Sequence, residues 1–111
     1  MNSIKNKVTL IGSLGNVPEV KSLDNNKKVA RISLATSEVY KNKNGEKVKN
    51  VSWHNVVMWG ALAETAEKLL EKGTEVAIDG KLINRNYIDK EGVMRYITEI
   101  QANGLVILGR A

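Results

Sequence analysis

Apolar and polar residues alternate with a period of two in several stretches of this 111-residue chain, whereas residues 61–72 turn to helical spacing. Successive side chains on a strand point to opposite faces, so the pattern restricts the chain to sheets with one covered and one wet face. In Val29–Ser37, Ala30, Ile32 and Leu34 are apolar while Arg31, Ser33 and Ser37 point the other way. Lys7–Leu14 is more continuously apolar and reads as an earlier strand, closed by Gly15-Asn16-Val17-Pro18, which holds the only proline. Asp24-Asn25-Asn26-Lys27 supplies turn residues before the next strand.

Residues 37–59 read as a hairpin, because Asn44-Gly45 accepts the positive φ angles of a tight turn and is flanked by extended segments. Glu75–Ile83 forms another strand, Asp89-Lys90-Glu91-Gly92 turns it back into Met94–Ala102, and Leu105–Leu108 closes the chain. In the departing stretch, Leu62, Ala66, Leu69 and Leu70 share one helical face, with acids early, Lys72 late and Gly73 as a stop. Residues 61–72 are therefore expected to be a packing helix that plugs one end of the sheet. With no phenylalanine and no cysteine, the core has to be filled by Val, Ile, Leu and Ala. Strand, strand, strand, helix, strand, strand is the order of an all-β, five-stranded Greek-key OB barrel with one α-helix between strands 3 and 4. Residues 1–111 suit a single domain of this kind, which buries roughly 65% of its unfolded surface.

Seventeen Lys and Arg against twelve Asp and Glu give a net charge of +5 and a pI near 9.5, which favours polyanionic partners. The start Met1-Asn2-Ser3-Ile4-Lys5 lacks the apolar stretch of a signal peptide, the apolar runs are too short to span a bilayer, and the expected location is cytoplasmic, with no membrane partner. One histidine, no cysteine, no His/Asp/Glu cluster at ligand spacing and no GxxxxGK[ST] loop leave nothing to support an enzyme, a metal site or a cofactor.

What the chain does offer is flat rings among cations. Tyr40, Trp53, Trp59 and Tyr87 lie in extended segments rich in lysine and arginine. Rings stack on unpaired bases for roughly 1–3 kcal/mol each, and cations displace counterions from phosphates. Burial is the usual fate of a large ring, so each aromatic taken alone fits a core position equally well. The hairpin arms carry Lys41, Lys43, Lys47 and Lys49 against Glu46, either a phosphate-seeking arm or a solvated tip. Trp53-His54-Asn55-Val56-Val57-Met58-Trp59 bears on the choice. On a regular strand the two indoles share a face with Asn55 and Val57, while His54, Val56 and Met58 share the other. Val56 and Met58 suit a barrel interior better than two indoles interleaved with Asn, which assigns the tryptophans to the outer, oligomer-binding face. His54 then faces away from them, as a packed or interface histidine.

Several motifs in order resemble the bacterial single-stranded DNA-binding protein (SSB) family: Asn6–Gly12 through Pro18-Glu19-Val20, Ala35–Glu38, Trp53–Val57, Leu70–Gly73, Ile78–Leu82 and Arg95–Glu99. The resemblance runs from about residue 5 to 109. It implies sequence-independent binding of single-stranded DNA in replication, recombination and repair, by a homotetramer around which the strand wraps. Family stacking positions match Tyr40, Trp53, Trp59 and Tyr87, with tyrosine at two positions where many relatives carry tryptophan. Family backbone contacts match Lys7, Lys43, Lys72, Arg85 and Arg95, to which the hairpin adds Lys49. Asn55 and Ala61 stand where some relatives carry a basic residue, and His54 matches an interface position. Relatives usually continue into an acidic tail that recruits replication and repair proteins, whereas this sequence stops at Gly109-Arg110-Ala111, which leaves recruitment unsupported by these residues. An OB-fold RNA binder and a primosome-type protein-interaction module are the competing readings of the same rings and cations.

Overall fold

The computed structural model describes residues 5–23 and 27–109, so the expected turn at Asp24-Asn25-Asn26 and the residues at either chain end lie outside the described residues. Six strands and one helix follow in chain order: β1 (Val8–Leu14), β2 (Glu19–Ser22), β3 (Lys28–Lys41), β4 (Lys47–Trp59), α1 (Ala61–Leu69), β5 (Glu75–Ile88) and β6 (Met94–Gly109). They form one sheet in the order β1-β5-β6-β4-β3-β2. Pairing of β1 with β3, Ser13 opposite Ala35 and Leu14 opposite Leu34, closes β1, β5, β6, β4 and β3 into a barrel. This is the five-stranded barrel read from the sequence, with its helix between the third and fourth barrel strands. The closure needs Gly12, because a Cβ there would meet the Ala35 carbonyl oxygen at 2.1 Å.

The alternation in β3 and β4 translates directly into the core. Ala30, Ile32, Leu34, Val56 and Met58 are buried with Leu14, Val76, Ile78, Ile100 and Ala102. Burial of such side chains at about 25 cal/mol per Å² of apolar surface is what favours the closed barrel. Val57 is buried as well, although it belongs to the outer face. It sits on the central strand between Arg31 of β3 and Gln101 of β6, whose side chains flank it from both neighbours.

Five local features differ from the sequence expectations. The helix ends at Leu69 rather than Lys72: Leu70 is already extended (φ −96°, ψ 138°), which carries its side chain into the core. The face is set by Ala63 and Ala66, with Leu62 partly buried, while Leu69 is exposed. Gly73 (φ 90°) is not the helix stop but serves the following turn, donating to the Leu14 carbonyl at 2.8 Å. The two final strand segments are one strand, β6, kept continuous by a bulge where Asp79 pairs with Gly104 and Gly80 with Ala102. The four-residue β2, paired to the edge of β3, has no pattern long enough to have been read.

The β3–β4 turn is also wider than the Asn44-Gly45 pair implied. Asn42 and Glu46 close it through the Asn42 N–H to the Glu46 carbonyl at 2.9 Å, Gly45 (φ 79°) donates back to the Asn42 carbonyl, and Asn42 Oδ1 accepts from the N–H groups of Asn44 and Glu46. The β5–β6 turn repeats this arrangement with Asp89, Gly92 (φ 80°) and Val93. Both are three-residue loops with a left-handed glycine at the end. The two hairpins extend past the barrel, which raises the radius of gyration to 16.0 Å, against about 13 Å for a compact chain of this length.

Candidate nucleic-acid interface

Strand register distributes the rings. Trp53 and Trp59 occupy the outer face of β4, opposite Ala35 and Val29 of β3. They are 62% and 46% exposed and lie six positions apart, roughly 20 Å along the strand. The Trp53 ring lies on Gly15, where an added Cβ would be 2.3 Å from Cζ3. Tyr87 on β5 is 50% exposed and sits directly opposite Arg95 of β6, on the same outer face. Tyr40, 48% exposed, is paired with Val48. The β3–β4 ladder runs without a register break, so Tyr40 belongs to the opposite face of that ribbon from the indoles.

The cations differ in how they are held. The Arg95 Nε donates to Asp89 Oδ2 at 2.9 Å, which ties Arg95 to the loop beside Tyr87. This bond, with the Val93 and Glu91 N–H groups on the other oxygen, holds the Asp89 carboxyl below the usual carboxylate range. Lys7 lies 3.6 Å from Asp79. Arg85 donates through Nε to Glu99 Oε1 at 2.7 Å, and Arg31 donates to the other oxygen of the same carboxylate. Glu99 is only 4% exposed. Desolvation pushes its carboxyl up, but the hydrogen bonds from Arg85 and Arg31 outweigh it and the group ionises below its ordinary range. The Arg85 guanidinium is raised in turn, chiefly by the hydrogen bond to Glu99. Among the described residues, Lys43 at the hairpin loop, Lys49 on its arm and Lys72 in the turn after α1 are exposed and have no carboxylate partner.

The family described as the Single-strand binding protein family matches residues 5–108. The chain belongs to that family. It is 42% identical over 104 residues to a single-stranded DNA-binding protein of Neisseria meningitidis, covering 94% of this chain and 60% of the relative. It is 40% identical over 106 residues to single-stranded DNA-binding protein 1 of Xylella fastidiosa, covering 95% of this chain and 78% of that one. The structure of a Plasmodium falciparum SSB complex with ssDNA superimposes with a TM-score of 0.87 at 33% identity, covering 97% and 99% of the two chains.

In this single-strand binding family member, three of the four rings read from the sequence share the outer sheet face, and Tyr40 does not. His54 lies across the strand from the indoles, half-buried, in a 2.9 Å hydrogen bond with Thr36 Oγ1. Sequence reasoning missed Arg31 and Glu99 as site residues, although the alternation had already put Arg31 on the wet face. It also missed Tyr96, the most exposed ring at 79%, opposite Asn86 on the other face of the β5–β6 hairpin. Among the described residues, no cluster of His, Asp and Glu could hold a metal, and no helix is long and apolar enough to cross a membrane.

Proposed function

We propose that the chain binds single-stranded DNA largely without regard to sequence, as a non-enzymatic protector of exposed strands in replication, recombination and repair. The observation that carries this reading is that Tyr40, Trp53, Trp59 and Tyr87 all leave about half or more of their surface open on a family barrel studded with cations. Duplex DNA hides base faces, so a surface that works by stacking selects unpaired strands by geometry. Four stacks at roughly 2 kcal/mol each approach about 8 kcal/mol per subunit, an upper figure because the terms are not additive. Lys7, Lys43, Lys49, Lys72, Arg85 and Arg95 supply the phosphate contacts, with the salt dependence such contacts bring.

The working form is a homotetramer in the cytoplasm, associated with the nucleoid, and His54 lies at an interface between subunits. An apolar strip favours self-association: exposed Ile11 pairs with Ala77, which pairs with exposed Val106. Mixing the protein with oligo-dT at low salt is expected to quench its tryptophan emission strongly. Unchanged emission at micromolar protein refutes the reading, and equal-length rU as competitor measures preference for deoxyribose.

A further inference from the structure

Arg31 and Arg85 come from strands that are not neighbours, yet both converge on Glu99 of β6. Glu99 is nearly sealed and both its oxygens are occupied, while the side chains of the two arginines are about half exposed. Arg85 spends only its Nε, which leaves both terminal amino groups unspent, and Arg31 spends one of its terminal ones. Their remaining N–H donors are therefore on the solvent side of a fixed carboxylate. Register puts Arg31 opposite Val57, between Trp53 and Trp59 on the same face and two positions from Trp59. It borders a cleft of about 220 Å³ that also takes in Asn16, Ser33, Asn55 and Glu99. A strand with bases on both indoles would carry its backbone over this row.

We propose that Arg31, Arg85 and Glu99 form one seat for a backbone phosphate, with Glu99 as the positioning residue that holds the two guanidiniums. This rests on the single-strand binding reading above and extends it to Arg31. Two guanidinium charges and one carboxylate leave the seat with a net charge of one, so it neutralises one phosphate. Guanidinium suits the task because its planar fork meets phosphate oxygens two at a time.

The test is the salt dependence of oligo-dT binding, followed by anisotropy of a labelled strand. Each neutralised phosphate on a single strand contributes about 0.7 to the slope of log K against log salt. Arg31→Met is expected to lower that slope by about 0.7, so that the affinity ratio between wild type and variant shrinks about 2.6-fold across a fourfold rise in salt. Arg31→Lys retains the slope, and Glu99→Gln, which leaves two charges in the seat, steepens it by up to about 0.7. Salt lines for Arg31→Met that run parallel to wild type overturn the proposal, as does a Glu99→Gln line that becomes shallower. Melting curves of the Arg31 variants, whose side chain is about half exposed, are expected to match wild type and separate loss of the seat from loss of fold. Wild-type protein that fails to bind oligo-dT at all counts against the proposed function, whereas binding with parallel lines removes only this seat.

Discussion

Gly15→Ala tests the stacking surface without removing any group that would contact DNA. The alanine Cβ would sit 2.3 Å from Trp53 Cζ3 and 2.7 Å from Cη2, whereas carbon atoms rest about 3.5–4.0 Å apart. The indole therefore has to withdraw by more than about 1 Å. Gly15 lies outside the left-handed region, so alanine is tolerated by the backbone and the cost falls on the ring. Moving a side chain about 30° off its rotamer costs about 0.5–1.5 kcal/mol, a modest loss of stability. The loss of binding is bounded by the stack itself, roughly 1–3 kcal/mol. We expect about 1 kcal/mol, roughly fivefold in Kd, from anisotropy titrations with labelled oligo-dT at low salt. Trp53→Ala alone should cost roughly 1–3 kcal/mol with little change in melting temperature. In the Trp53→Ala background, Gly15→Ala should cost nothing further, because the only group it displaces is gone. Equal losses in both backgrounds, or no loss in the wild-type background, would refute the placement of the ring on Gly15 as the source of the effect.

Tyr87→Trp should tighten oligo-dT binding by a few tenths to 1 kcal/mol in the same titration, since an indole offers a larger stacking face than a phenol. Acidification should destabilise the fold: Glu99 and Asp89 ionise below their usual range in the folded chain, so their stabilisation is complete above the unfolded carboxylate value near 4 and is lost as pH falls through the lower folded values. Melting temperatures measured from about pH 6 to pH 3 should therefore drop in the acid limb, and less steeply in Glu99→Gln. Gly12→Ala should cost about 1–3 kcal/mol of stability, read in chemical denaturation, because its Cβ meets backbone at Ala35 rather than a movable side chain.

The fold was legible wherever a property repeats along the chain. Alternation through Ala30, Ile32 and Leu34, and again through Val56 and Met58, separated interior from exterior and put Trp53 and Trp59 outside. It also carried information that went unused, since parity on an unbroken ladder separates Tyr40 from the indoles. What escaped depends on contacts between distant segments. The helix stops early because the following turn is bonded to Leu14, and no local signal at Leu69 encodes that. The hairpin loop is set by Asn42, whose side chain bonds two backbone N–H groups and outweighs the Asn44-Gly45 signal. Arg31, Arg85 and Glu99 lie on three different strands, so only the closed barrel brings them together.

The barrel is fastened unevenly around its circumference. Thirteen consecutive residue pairs zip β3 to β4, but β1 meets β3 only at Ser13 and Leu14, and β4 meets β6 only at Val56 and Val57. Opening of the barrel wall itself breaks fewest ladder bonds at those two short seams, whereas the exposed arms of the long ladder fray from the hairpin tip. A molecule built this way can part its wall beneath the ligand-facing sheet while the ladder under the indoles stays intact.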